Sequence, residues 1–428
     1  MNKTVYVNAN IYDGTEDMKL FSNFSIEVED GKITRVDRFV PNNKECKIID
    51  LEGKFVTPGL VNLHSHLPSN GKLSKGKLGD KSKLVKFIIS NPITRKVGFI
   101  LCKNSAKQAL NAGITTVRTV GGIIDLDSKL RDKINCGKIL GPRLIVCNGA
   151  IGVKGGHMDG TVSNSVANEK EAIDMVDMLI EQKVDAIKLM ITGGVLDGKE
   201  AGHPGTLKMD PKIIKVCCDE AHKHGLKVLA HVESPEGMKA AIENGVDSIE
   251  HSSYFDDSDA EILKERNGAV VLTLTPALPF IKIDPEIVGY GEIAKINSEI
   301  IYKGMLNSFK QARKHNILVG LGNDAGSTLV THYNFANEVV MAARELKISN
   351  KEALHIATEA NATIAGVSNV TGTLEVGKDA DFIVLDKDPI EDLHNLKYPK
   401  MVVIKGHLIK KPKVKFDKVA DNLLNPIY

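Results

Sequence analysis

The chain has 428 residues, 42% hydrophobic and 26% charged, with a formal net charge of +2 and no tryptophan. A charge so near zero provides no global field for nucleic acid, and no run approaches the ~18 uninterrupted apolar residues of a membrane span. Neither nucleic acid nor membrane is therefore expected as a partner, and the length suits one large α/β barrel with a smaller companion domain.

The opening stretch, "MNKTVYVNANIYDGTED", lacks the basic end, apolar core and small-residue cleavage site of a secretory leader. Six cysteines (Cys46, Cys102, Cys136, Cys147, Cys217, Cys218) show no repeating spacing. Reduced thiols in a cytoplasmic protein are the expectation.

Residues 1–57 read as short strands, "TVYVNANIYD", "FSIEVEDGKITRVDRF" and "CKIIDLEGKFVTPG", with turns at Asp30-Gly31 and near Gly53. From residue 58 to 368 apolar β-type runs alternate with helical periodicity. Strands are predicted at 60–66, 114–120, 143–148, 184–190, 226–231, 246–251, 269–275 and 317–323. Helices such as 211–225 and 235–245 lie between them, each ending in a glycine suited to the C′ position. Eight strands separated by helices are the count for a (β/α)8 TIM barrel. Residues 369–428 return to β patterning, "GTLEVGKDADFIVLD" and "PKMVVIKGHLI", so the two ends are expected to share one small sheet domain. The stretch 67–96 is a long basic insertion after the first strand, read as a lid or substrate loop or as a solvated surface loop. It carries Lys72, Lys75, Lys77, Lys81, Lys83 and Lys86.

In such a barrel functional groups collect at the C-terminal ends of the strands. "TPGLVNLHSHLP" ends the first strand in His64 and His66, which alternation places on one face. An H-x-H pair is either a hydrogen-bonded structural pair or half of a metal site. "VDAIKLMITGG" carries Lys188 inside an apolar run; "LKVLAHVES" ends in His231, "VDSIEHSS" in His251 and "NILVGLGNDAGS" in Asp324. A lysine there is expensive to bury charged. It either pairs with a carboxylate or snorkels to the rim, or its neutral amine reacts with CO2 to give a carbamate whose oxygens bridge two cations. Six ligand-type residues at the ends of the right strands point to a metal site.

"PGLVNLHSH", "AIKLMITGG", "VLAHVES", "SIEHSS", "GLGNDAGS" and the closing "GTLEVGKDADFIVLD" together resemble the amidohydrolase superfamily. Within it, the resemblance is to the binuclear Xaa-Pro dipeptidase (prolidase-like) and imidazolonepropionase-related branch, and it runs from about Tyr6 to His407. It implies a barrel flanked by a β-sandwich that the N- and C-terminal segments form. It further implies that His64, His66 and Asp324 bind the more buried of two divalent metal ions and His231 and His251 the more exposed, with carboxylated Lys188 bridging them. The donor set suits Zn2+. A metal-bridging hydroxide would attack the carbonyl, with Asp324 as general base and then general acid.

"GAIGVKGGHMDG" (149–160) resembles a substrate loop of these relatives, in which His157 faces the substrate; a plain turn histidine is the other reading. His203, in "GKEAGHPGTL", is a further substrate-binding candidate. Two residues after His231, where relatives carry an aromatic, stands Glu233, suited to a cationic group, whereas the basic 67–96 stretch suits an anionic one. Asn323 occupies a position where threonine is common. The expected function is hydrolysis of a C–N amide bond in a small molecule, a dipeptide or N-acyl amino acid. Ring hydrolysis or deamination of a small heterocycle and lactone or ester hydrolysis remain as alternatives. A barrel kept only for assembly would be expected to lack ligands, and this one has a full set. The resemblance implies a homo-oligomer; residues 411–428 lie beyond it and have no functional account.

Overall fold

The computed structural model describes residues 3–42, 45–73, 81–198 and 200–428. Of the basic insertion, Lys75, Lys77 and the Lys81 side chain lie outside the described set. The chain divides into two compact units: Met1–Asn62 with Lys107–Val117 and Tyr333–Lys415, and Leu63–Ala106 with Arg118–His332 and Phe416–Tyr428.

In the first unit both ends of the chain meet in one eight-stranded sheet. Phe55–Pro58 pairs antiparallel with Phe382–Leu385, placing Thr57 opposite Ile383, while Lys3–Tyr12 pairs with Leu20–Glu29 on its other side. β-Branched and aromatic residues supply the buried face, with Ile11, Ile26, Val56, Phe382 and Val403 at most 0% exposed. The β pattern at 372–386 overestimates the strand, because only Phe382–Leu385 is extended. Gly372 and Gly377 adopt φ of +97° and +94° there, a backbone that turns rather than pairs.

The strands that matter for function are β1 (Leu60–Ser65), β2 (Ile114–Thr119), β3 (Arg143–Val146), β4 (Ala186–Met190), β5 (Lys227–Val232), β6 (Ser248–His251), β7 (Ala269–Leu272) and β8 (Leu318–Leu321). All eight fall inside the sequence windows but for Val232, and most are shorter. β4 to β8 lie in chain order in a parallel seven-stranded sheet, begun by the short strands Ser163–Ser165 and Ala150–Gly152. β1, β2 and β3 form a second sheet, and the division between the units runs through β1 and β2. Near-continuous apolar runs such as Ile187, Leu189, Val228, Ala230, Ile249 and Val270 make one core with the covering helices, as strands buried on both faces require.

The described part of the insertion after β1 is largely helical. Lys81–Ile89 is a helix, α1, and Pro92–Asn111 is a second, α2. Leu84, Val85 and Ile88 recur at helical spacing and line a cavity, and this apolar periodicity outweighs the lysines that suggested a solvated loop.

Candidate metal centre

The six strand-end residues converge. His64, Lys188, His231, His251 and Asp324 line one cavity of about 280 Å3 together with His66. The His66 Nε2 lies 3.1 Å and the His64 Nε2 3.6 Å from the Asp324 Oδ1. Ring centroids are 4.7 Å apart for His64–His251 and for His231–His251. Two groups each bring three ligand atoms within 4.8 Å of one another: His64, His66 and Asp324, and His231, Glu233 and His251. Lys188 is fully buried, and its Nζ has no hydrogen-bond partner.

The imidazoles are held by their other nitrogens. The His64 Nδ1 donates to the Glu250 Oε2 at 2.7 Å, and the His66 Nδ1 donates to the Gly121 carbonyl at 2.9 Å. The His251 Nδ1 meets the Thr273 hydroxyl at 2.7 Å, and the His231 Nε2 lies 3.3 Å from the Gly193 carbonyl oxygen. Such pairing fixes the orientation of each ring. Glu250 is itself clamped: Arg118 Nη2 and the Ser248 hydroxyl both donate to its Oε1 at 2.8 Å, and Arg118 Nε donates to the Leu63 carbonyl at 2.8 Å.

Backbone shape contributes as much as side chains. His251 and Asp324 have φ of +64° and +50°, a left-handed conformation costing about 1–2 kcal/mol in a residue with a Cβ. Here it turns the chain sharply where β6 and the segment after β8 present their ligands. Gly322 packs so closely on β1 that a Cβ would fall 2.4 Å from the His64 Cβ and 2.7 Å from its backbone nitrogen. Any larger residue would displace His64.

Burial dominates the electrostatics. It holds the His64 and His231 pKa well below the ordinary imidazole value and brings His251 down to about 3, with Lys188 among the nearby charges that reinforce all three. These rings are neutral at pH 7, the state a ligand needs. Burial also lowers Lys188 to about 8, against the opposing pull of Glu250, so roughly a tenth of its amine is uncharged at pH 7, far more than for an ordinary lysine. Burial alone would raise Asp324, but the hydrogen bond from His66 and the surrounding imidazoles of His64, His66 and His251 hold it well below the usual carboxylate range. Glu233 is pushed up by burial and by Asp197 and Asp324, and its Oε2 has no partner.

Of the substrate-binding candidates, His157 and Glu233 line the cavity. His157 stacks on His231 at 4.1 Å with ring planes 5° apart, and its Nδ1 donates to the Asp197 Oδ2 at 2.6 Å. Glu233 is grouped with two metal-type histidines, a third donor where the sequence suggested only a substrate contact. His203 is exposed and is not among the cavity residues. Apolar side chains make up much of the remaining wall, among them Val85, Ile88, Val195, Phe280, Tyr290 and Met305.

Sequence reasoning passed over Glu250, Arg118, Thr273 and Gly322. Glu250 carried a usable signal, a carboxylate between Ile249 and His251 in a buried strand, and Arg118 within "TTVRTV" carried the same one. Thr273 and Gly322 gave none, since their roles depend on which strand lies beside them.

The profile of the amidohydrolase family matches residues 55–409. A solved structure described as a candidate prolidase from Bifidobacterium longum is 32% identical, covers 100% of this chain and 99% of its own, and superposes with a TM-score of 0.86. A Xaa-Pro dipeptidase solved with methionine in its active site is 26% identical over 95% of this chain and 100% of its own, with a TM-score of 0.81. The ochratoxinase of Aspergillus niger is 29% identical over 321 residues, 69% of this chain, and the chain spans 64% of that relative's length.

Proposed function

The chain belongs to the amidohydrolase family, and on that premise we propose that it is a binuclear metal-dependent hydrolase of C–N amide bonds, acting on a dipeptide or an N-acyl amino acid. The observation that carries this reading is Lys188, a fully buried amine with no partner in the same cavity as two triads of ligand atoms. An unpaired ammonium is costly to bury. A carbamate, formed by addition of the amine to CO2 with loss of one proton, would instead be an anionic oxygen donor suited to divalent cations, and the depressed pKa raises the share of neutral amine that this reaction needs.

Nitrogen and carboxylate donors fit Zn2+. Bound divalent cations supply a water acidified toward ~7 and a polarised carbonyl. The chain's residues do the rest. His64 and His66, oriented by Glu250 and Gly121, hold one side of the site, and His231 and His251 the other. Asp324, ionised at neutral pH, accepts the proton of the attacking water and returns it to the leaving nitrogen. His157, held by Asp197, is our candidate to bind the substrate's carbonyl or carboxylate.

We read the two sheets as arcs of one (β/α)8 barrel, which the bridge from Ser65 to Ala325 and the 2.7 Å hydrogen bond from the His66 amide to the Ala325 carbonyl support. The eight-stranded sheet is read as the flanking sandwich. Six unpaired cysteines support a reducing, cytoplasmic setting.

The test is hydrolysis of a dipeptide and N-acyl-amino-acid library by Zn2+-loaded protein, with metal content measured on the same sample and on Lys188→Ala. About two metals per chain, turnover of a subset of substrates, and loss of both in the variant are expected. Two metals without turnover would move the substrate to heterocycles, lactones or esters. No bound metal would overturn the reading.

A further inference from the structure

We propose that the α1–α2 hairpin is a docking surface for an anionic lipid bilayer. Between Ser82 and Ala106 the sequence has five basic residues, Lys83, Lys86, Arg95, Lys96 and Lys103, and no aspartate or glutamate. All five are exposed, and among the described residues none pairs with a carboxylate. Other helices behave differently: Lys129 pairs with Asp125 and Lys170 with Asp174 at 2.8 Å, and Lys215 pairs with Asp219, each across one helical turn. In a chain whose net charge is only +2, this hairpin is a local concentration of unneutralised positive charge.

The same hairpin exposes five large apolar side chains within seventeen residues. Leu84, Phe87 and Ile100 are each 53% exposed, Val97 45% and Ile93 76%. Ile93, Val97 and Ile100 follow i, i+4, i+7 spacing and form one stripe along α2, with Lys96 and Lys103 along its edge. An apolar stripe bordered by cations is the pattern of a helix that lies in a membrane interface, apolar groups at the acyl boundary and lysines among the headgroups.

Charge decides between occupants. A second copy meeting this face through a two-fold axis would set the same five cations against themselves, which is unfavourable. An anionic bilayer complements both features at once. The absence of a spanning helix among the described residues does not bear on this, because a surface-lying hairpin needs one apolar face rather than about twenty consecutive apolar residues. Leu84, Val85 and Ile88 of α1 also line the catalytic cavity, so docking by this face would bring that cavity wall to the lipid boundary.

The experiment is co-sedimentation of the full chain with vesicles of phosphatidylcholine alone and of phosphatidylcholine mixed with phosphatidylglycerol, at low and high salt. The expected result is binding at least about tenfold tighter to the anionic vesicles, weakened by salt. Binding should be lost in Lys83→Glu/Lys86→Glu/Lys96→Glu and reduced at every salt concentration in Phe87→Ser/Ile93→Ser, with thermal melting unchanged in both. No sedimentation with anionic vesicles, or equal binding to both compositions, would overturn the proposal. So would a wild-type dimer that dissociates in Phe87→Ser/Ile93→Ser without any vesicle binding, which would assign the face to a second copy. None of these readouts requires turnover, so their failure leaves the hydrolase reading intact.

Discussion

The two sheets handle buried polarity in opposite ways. In the eight-stranded sheet the interior is hydrocarbon and aromatic: Ile11, Ile26, Val56 and Phe382 are fully buried, and Tyr6 meets Phe382 edge-on at 5.0 Å and 89°. The parallel sheet has the same kind of apolar run along each strand, but it carries buried His231, Glu250 and His251 at strand ends and buried Lys188 inside β4. Ionisable groups removed from water weaken a fold unless fully paired. The first sheet is therefore built for stability alone. The second gives some stability away at its strand ends, and what it holds there is chemistry.

That contrast can be broken by a crossed experiment. Asp324→Asn should lower kcat by about 10^2–10^4 while leaving the protein folded, with only a modest drop in melting temperature from the lost pairing of the carboxylate with His66. Phe382→Ala should do the reverse. It should cost about 3–5 kcal/mol of stability, read by denaturant unfolding, with kcat per folded molecule unchanged. If Asp324→Asn unfolds the protein, or Phe382→Ala abolishes turnover in the folded fraction, the division of labour is wrong.

A finer test concerns Glu250, which touches no substrate and acts through His64. Glu250→Gln keeps the size but weakens acceptance from the His64 Nδ1. Metal affinity or activity should fall about 10–100-fold, with the loss following metal occupancy measured on the same sample. Unchanged metal affinity and unchanged turnover would reduce Glu250 to a packing partner of Arg118.

A further test is the acid stability of the metal-free protein. Burial lowers His251 to about 3, and to about 4 His332, a buried imidazole whose Nε2 lies 2.7 Å from the Ser69 carbonyl oxygen. The unfolded chain therefore binds more protons once pH drops below the ordinary imidazole value of ~6.5. These two imidazoles add no pH dependence above that value. Stability should fall as pH decreases toward 4, by about 1.4 kcal/mol per pH unit for each imidazole involved. Melting scans of chelator-treated protein would show it, and a flat profile between pH 6.5 and 4 would contradict the buried, neutral assignment.

Much of this molecule was readable without coordinates. Strand and helix alternation, the return of β patterning at the C-terminus, and the residues His64, His66, Lys188, His231, His251 and Asp324 are local signals. Each is a residue type at the end of an apolar run, and topology alone brings such ends to one rim. The tertiary structure decided what depends on neighbours distant in sequence. The bond from His64 to Glu250 joins residues 186 apart, and the need for glycine at 322 exists only because β1 lies beside it. Glu233 joins His231 and His251 because β5 and β6 lie side by side, and that Leu84, Val85 and Ile88 of the lysine-rich insertion line the cavity is seen only in the fold. Periodicity and residue chemistry are written along the chain; the direction of a side chain and the partner it meets are set by packing.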